Sequence, residues 1–336
     1  MIADGQTGDF GSWTSIMRRV SFGWLLVSFL LVGFPGRGME VPQALKDVKR
    51  IVVLGDSITQ AGEYVTDVEC WLVAQGIEVE VISLGLGSET ATDLTEEENE
   101  WHLRRHRFGR PFISERLERV LQTTRPDLLI ACYGMNDGSS LPPDAGGTKR
   151  FGNSCTALRE AVLRAGARRV VICSPPIHDS KKPGEIGTTD ENLGRYTEWL
   201  LGKRAEGWDV VDIHTPMRAD LEAGRAKDPA FALAHDGVHP GREGHWIMAR
   251  ELLEQAFGAE LDGMEKAEDF FAENGGAIRK LVGDRRAVLF SAYMTKIGHQ
   301  RPGVAGHPNA KPGPSIEEAT AKAADLTREI RALLGR

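Results

Sequence analysis

Arg50-Ile51-Val52-Val53-Leu54-Gly55-Asp56-Ser57-Ile58-Thr59 is the stretch from which the fold is read. Its first half is a short β-branched run of the kind that packs inside a sheet. Gly55 ends the run, and the Asp-Ser pair that follows opens a helical segment. A strand running straight into a helix start is the first half of a βαβ unit. The serine then stands at the carboxyl end of a strand, where open parallel sheets bind their ligands. Ser57 can be a nucleophile at that edge, or Asp56 or Ser57 can be a plain helix N-cap.

The same alternation continues outward from this stretch. Helical spacing over Tyr64–Gln75 leads to a strand at Glu78–Ser83, and a helix at Ile113–Gln122 is stopped by Pro126. Asp127–Tyr133 reads as a buried strand, Asn153–Ala165 as a helix closed by Gly166, and Arg169–Cys173 as the next strand. A helix at Thr189–Arg204, a last strand at Trp208–Asp212 and a closing helix at Gly244–Phe257 complete the series. Five short apolar strands separated by helices predict a three-layer α/β/α domain around a parallel sheet, over residues 42–258. Residues 259–336 differ: Met264–Ala292 and Ser315–Leu334 are charged and helix-favouring, with a breaker-rich loop around Gly298–Pro308 between them. They predict a C-terminal helical hairpin packed on the main domain. No internal repeat or low-complexity tract is found.

Composition narrows the function classes. The 336 residues are 41% hydrophobic and 26% charged, ordinary for a globular protein with a sizeable core. Lysines and arginines number 41 against 48 acidic residues, so the net charge is 41 − 48 = −7, which argues against a nucleic-acid partner. The basic run Arg104-Arg105-His106-Arg107 reads as a solvated face. Met17-Arg18-Arg19, the apolar stretch Val20–Phe34 and the small residues of Gly36-Arg37-Gly38 form the pattern of a secretory signal peptide, cleaved after Gly38. Residues 1–38 are assigned to it, with Met17 as the true start. The apolar run is short for a spanning helix, which needs roughly 20 residues. The expected location is therefore periplasmic or extracellular, with no stable membrane association after cleavage; an uncleaved membrane anchor is the second reading. Cys70, Cys132, Cys155 and Cys173 show neither metal-ligand spacing nor a C-x-x-C pair. Cys132 and Cys173 read as buried thiols, although export permits a disulfide.

Three further segments carry candidate chemistry. Tyr133-Gly134-Met135-Asn136-Asp137 follows the third strand, so the Asn136 amide can donate to an oxyanion at the edge occupied by Ser57, or simply form a turn. Ser83-Leu84-Gly85-Leu86-Gly87-Ser88-Glu89-Thr90 follows the second strand and offers backbone N–H groups there; it lacks phosphate-loop spacing. His235-Asp236-Gly237-Val238-His239-Pro240 precedes the closing helix. His239 can accept the Ser57 proton and Asp236 can hold the imidazole in the required tautomer. His235, His239 and His245 can equally be solvated or structural histidines. A metal site would need ligands from elsewhere, and none is assigned.

Gly55-Asp56-Ser57-Ile58-Thr59, Gly134-Met135-Asn136-Asp137 and Asp236-Gly237-Val238-His239, in this order, resemble the SGNH (GDSL-like) hydrolases. The resemblance spans essentially the whole α/β domain and implies a flavodoxin-like fold and a carboxylic ester hydrolase without cofactor. It implies Ser57 as nucleophile, His239 as general base and Asp236 as its partner. The Ser57 N–H, the Ser88 N–H and the Asn136 side chain become the oxyanion donors. The family usually carries a glycine where Ser88 stands, and Gly87 is the alternative donor. The Gly-Leu-Gly-Ser-Glu-Thr form is similar to a bacterial subgroup that also carries a C-terminal helical extension. Tyr133, Met135, Pro175, Pro176 and His178 are expected to line the substrate, being at strand ends. The loop bearing His299 and Arg301 is expected near the same edge, or else serves as a structural brace. An exported, acidic protein with few exposed apolar runs favours a polar ester, such as an acetylated or other short-acyl carbohydrate. A lipase or lysophospholipase and a non-catalytic carbohydrate-binding relative are the alternatives.

Overall fold

The computed structural model describes residues 41–180 and 187–336. The proposed signal segment lies outside the described residues. Five strands form one parallel sheet: β1 (Arg50–Gly55), β2 (Glu80–Ser83), β3 (Leu128–Cys132), β4 (Arg169–Cys173) and β5 (Asp209–Val211), in the order β2-β1-β3-β4-β5. Helices connect them: α1 (Ser57–Ala61), α2 (Glu63–Ala74), α3 (Glu96–His106), α4 (Leu117–Thr124), α5 (Met135–Gly138), α6 (Ala145–Arg164), α7 (Thr188–Gly202), α8 (His214–Lys227) and α9 (Arg242–Phe257). Two more follow the sheet, α10 (Gly275–Ile297) and α11 (Ile316–Leu333), and they pack on each other.

The strands are apolar on both sides because both sides are covered. Leu54, Leu128, Leu129 and Ile130 have no exposed surface. Right-handed crossovers send the β1–β2 connection to one face and the later connections to the other, as the strand order requires. The order reverses between β1 and β3, so a crevice opens beyond the carboxyl ends of those two strands. α2 packs on α9, α6 packs on α7, and α10 lies against α2, α4 and β2. Buried ion pairs reinforce the contact of α10 with α2: Arg279 Nε donates to Asp67 Oδ1 at 2.7 Å and Arg285 to Glu69 Oε1 at 2.7 Å. Among the described residues no helix is long and apolar enough to cross a membrane. All four cysteines are buried free thiols, although Cys132 and Cys173 are register partners on β3 and β4.

Several elements depart from the periodicity reading. α6 begins at Ala145 rather than Asn153, because Asp144 caps it by accepting from Gly147 N at 2.8 Å. Two adjacent glycines in its first turn hide that start from a propensity argument. α3 and α8 carry almost no apolar stripe, with His102 the only buried residue of α3 and His214, Met217 and Leu221 those of α8. The expected helix at Ile113–Gln122 is divided at Arg116, whose side chain turns into the core. In the C-terminal segment the helix starts at Gly275, not Met264, and runs on to Ile297.

Candidate active site

The loop after β1 reconciles the two readings of Asp56-Ser57. Asp56 is the N-cap of α1, its Oδ1 accepting from Ile58 N at 2.9 Å. Ser57 is the first helical residue and its hydroxyl is free for other partners. Gly55 admits this turn because a Cβ there would lie 2.1 Å from Thr59 Oγ1 and 2.6 Å from the Cys132 carbonyl oxygen. Burial pushes the Asp56 carboxyl up from 3.8 to about 7, against the lowering effect of the Ile58 N–H.

Ser57 Oγ lies 2.8 Å from His239 Nε2, and His239 Nδ1 lies 2.7 Å from Asp236 Oδ2. Asp236 Oδ1 also accepts the backbone N–H groups of Val238 (2.9 Å) and His239 (2.8 Å), so the short loop folds around its own carboxylate. Partial desolvation pushes the Asp236 carboxyl up. The hydrogen bonds from His239 N–H, the His239 ring and Val238 N–H together outweigh it and hold the pKa at about 2. The loop is anchored by Asp179, buried beneath it, whose Oδ2 accepts Leu233 N at 2.8 Å and Ala234 N at 3.0 Å. The side chains of Asp236 and His239 are about half exposed, 57% and 50%. The site is therefore open rather than a closed cavity.

Asn136 sits in α5, just past β3. Its Nδ2 donates to the Glu89 carbonyl at 2.9 Å, and its Oδ1 accepts from Arg110 at 2.7 Å. These two bonds fix which way the amide faces and tie it to the loop after β2. The neighbouring Asp137, wholly buried, accepts Thr92 N at 2.8 Å and Ala91 N at 3.2 Å and so fastens the same loop. The Glu89 carboxylate points inward, where Arg116 grips it through Nε and NH2, both at 2.6 Å, and Tyr133 donates its hydroxyl at 2.6 Å. Gly85 is required at the head of this loop, since a Cβ there would come within 2.2 Å of Gln60 N.

Gly87 and Ser88, the two candidate N–H donors, differ in hydrogen bonding. Gly87 N already donates to Gln60 Oε1 at 2.6 Å. Ser88 N–H finds no acceptor among the described residues, and Ser88 holds the left-handed conformation at φ 68° that turns the loop there.

Of the remaining candidates, Tyr133, Met135, Pro175 and Pro176 are placed differently from the expectation. Tyr133 and Met135 are only 4% and 3% exposed, so they do not line the open site; Tyr133 instead serves the Glu89 carboxylate. Pro175 and Pro176 are buried, and Pro175 packs on Gly134. His178 keeps some exposure and lies against Gly237, beside the His239 loop. His235 is exposed. His245 is buried, stacks on Tyr64 and accepts Tyr64 N at 3.4 Å, and burial lowers its pKa to about 4, so it is structural. Among the described residues no cluster of metal-ligating side chains occurs.

Arg110, Glu89, Arg116 and Gln60 form the surroundings of the candidate oxyanion groups without any motif of their own, and Arg301 joins them at the edge where its loop is expected. Arg301 belongs to the loop after α10, and its guanidinium lies against Gly87: a Cβ on Gly87 would meet Nε at 3.2 Å and NH2 at 3.4 Å. The C-terminal segment thus reaches the site edge.

A family model described as the GDSL-like Lipase/Acylhydrolase family matches residues 53–247, more than half of the chain. Solved structures similar to this chain include a gut microbial diltiazem-metabolizing enzyme, at 22% identity and a TM-score of 0.48 over 62% of this chain and 46% of that one. The chain thus spans about half the length of that relative. An acetylxylan esterase from Geobacillus stearothermophilus is similar at 20% identity and a TM-score of 0.46, over 63% of this chain and 95% of that one. Among curated proteins, none matches the sequence.

Proposed function

We propose, for a chain that belongs to the GDSL-like lipase/acylhydrolase family and is a carboxylic ester hydrolase, a Ser57–His239–Asp236 mechanism that removes acetyl or other short acyl groups from a carbohydrate. The observation that carries this reading is the continuous hydrogen-bonded line Ser57 Oγ–His239 Nε2–His239 Nδ1–Asp236 Oδ2, at 2.8 and 2.7 Å. Ser57 Oγ attacks the ester carbonyl carbon as His239 Nε2 takes the hydroxyl proton. The Asp236 carboxylate, held ionised by its N–H donors, orients the ring and stabilises the imidazolium. The new oxyanion is met by Ser57 N–H, Ser88 N–H and the second N–H of Asn136 Nδ2, groups fixed before substrate arrives. His239 returns the proton to the leaving alcohol, and water then repeats the sequence on the acyl-enzyme.

Support for a short acyl group comes from the open setting. Asp236 and His239 are half exposed, and neither the groove of about 1010 Å³ between α4 and α6 nor that of about 530 Å³ between α2 and the α10–α11 pair includes Ser57, Asp236 or His239 in its lining. Export to the periplasm or beyond is part of the same proposal and rests on the pattern of residues 17–38. A panel of acetyl, butyryl and long-acyl nitrophenyl esters, run beside acetate release from acetylated polysaccharide, tests the reading. A preference for long-acyl esters would replace it with a lipase-type activity, and binding of glycan without turnover would replace it with a non-catalytic role.

A further inference from the structure

Arg301 carries an unmet hydrogen-bond donor beside the candidate oxyanion loop. Its Nε is buried and has no acceptor among the described residues, and its NH1 donates only to the carbonyl of the next residue, Pro302. The guanidinium lies against Gly87 and stands 5.3 Å from the Phe108 ring centroid. Two residues beyond Phe108, Arg110 is only 9% exposed, and its Nε also lacks an acceptor. Arg110 touches Asn136, while Arg301 touches the residue before Ser88. Two cationic side chains thus flank the candidate oxyanion groups.

Neither forms an ion pair as other arginines of this protein do: Arg110 donates instead to Asn136 Oδ1 and Ser139 Oγ, with Asp137 and Asp56 as its acidic neighbours, and Arg301 has none. Arg279 and Arg285 of the same C-terminal segment meet the buried carboxylates Asp67 and Glu69, and Arg116 meets Glu89. Nearby carboxylates are already engaged: Glu89 by Arg116, Asp137 by the amides of residues 91 and 92, and Asp56 by Ile58 N. Desolvation alone lowers the Arg301 pKa, and no acidic neighbour opposes it. Burying a cation and leaving its N–H groups unpaired is costly. The cost is offset when an anion arrives, and charge-assisted bonds to guanidinium are among the stronger ones.

The loop that presents Arg301 is held in place rather than loose. His299, 3% exposed, accepts Arg301 N on Nδ1 at 3.2 Å and donates from Nε2 to the Ala305 carbonyl at 2.8 Å. Arg119 Nε donates to the Ile297 carbonyl at 2.8 Å, fastening the end of α10 to α4. Such a fixed guanidinium loses little freedom on binding.

We propose that Arg301, backed by Arg110, forms a subsite for a carboxylate carried by the ester substrate. This rests on the esterase reading above and names its substrate class: an acidic ester. The carboxylate can sit on the alcohol side, as in an acylated uronic acid, or on the acyl side, as in a dicarboxylic half-ester.

Paired substrates test it. On the alcohol side, acetylated glucuronic acid is compared with acetylated glucose; on the acyl side, the 4-nitrophenyl half-ester of succinate is compared with 4-nitrophenyl acetate and butyrate. The wild-type protein should favour the acidic member of one pair by about tenfold or more in kcat/KM, with a preference that shrinks as salt rises. Arg301→Gln should remove that preference, and Arg301→Lys should keep part of it. Equal rates within both pairs, or a loss in Arg301→Gln that strikes neutral and acidic substrates alike, would overturn the subsite. Calorimetry with glucuronate and succinate against glucose reads the subsite without turnover, and absence of carboxylate binding to the wild type also overturns it. A protein that binds these acids but hydrolyses no ester would instead overturn the esterase reading.

Discussion

Arg110 donates to Asn136 Oδ1 at 2.7 Å and thereby decides which end of the Asn136 amide faces the loop after β2. With the oxygen held by the guanidinium, Nδ2 is the end that reaches the Glu89 carbonyl, and its remaining N–H is the one available to substrate. Asn136→Ala should lower kcat by about 10²–10³ with little change in KM, the cost of one oxyanion donor. Arg110→Met should lower kcat less and in the same pattern, because the amide is then free to turn. Steady-state kinetics on 4-nitrophenyl acetate separate kcat from KM; a change confined to KM in Asn136→Ala would remove it from the oxyanion site.

Replacing the line of proton transfer should be more severe. Ser57→Ala and His239→Ala should each lower kcat by at least about 10⁴, and the double variant should be little worse than either. Asp236→Asn should cost about 10⁴ while leaving the fold intact. Labelling with a fluorophosphonate followed by peptide mapping gives an independent reading: modification should fall on Ser57 and vanish in His239→Ala.

Stability should fall as pH rises through the weakly acidic range. Asp56 has a folded pKa raised by burial to about 7 from 3.8, so the folded state holds a proton that the unfolded chain has already released. The stabilisation is full below about pH 4 and is lost as pH climbs to about 7. Asp137, also raised by burial, acts in the same direction. Asp236 acts oppositely: its lowered pKa favours the folded state above 3.8, and that contribution fades only as pH falls toward 2. Asp56→Asn keeps a good N-cap and removes the titration. Urea midpoints measured between pH 4.5 and 8 should slope less in this variant than in the wild type.

Arg116→Met should be strongly destabilising. Arg116 and Glu89 are 1% and 0% exposed, so removal of the cation strands a carboxylate in the core. Loss of one partner from such a pair costs about 3–5 kcal/mol, which urea unfolding will register. The same variant should lower kcat, because Glu89 also carries the carbonyl that holds Asn136.

Gly85→Ala should damage both fold and activity. Its Cβ would stand 2.2 Å from Gln60 N, a backbone atom of α1 that cannot move without displacing Ser57. A cost of at least about 1–3 kcal/mol is expected for such overpacking. Thermal unfolding together with 4-nitrophenyl acetate turnover checks it; a wild-type midpoint would show that the loop and α1 are not in contact in solution.

The alternation of five apolar runs with helical segments was enough to give the parallel α/β sheet, because a strand covered on both faces must be apolar at every position. Asp56-Ser57, Asn136 and Asp236/His239 were legible for a related reason: each stands where a strand ends or a closing helix begins, and short polar residues there serve turns and chemistry alike. α3 and the start of α6 were not legible, since a charged exposed helix and a glycine-rich first turn leave no apolar period to read. Only the tertiary structure separated Asp56 as cap from Ser57 as partner of His239, 182 residues away. Only it turned Tyr133 inward to Glu89, released Ser88 N–H by giving Gly87 N to Gln60, and set the guanidinium of Arg301, whose loop is expected near this edge, against Gly87. Local sequence sets backbone period and turn chemistry; which polar groups meet across the sheet edge depends on packing between segments distant in the chain.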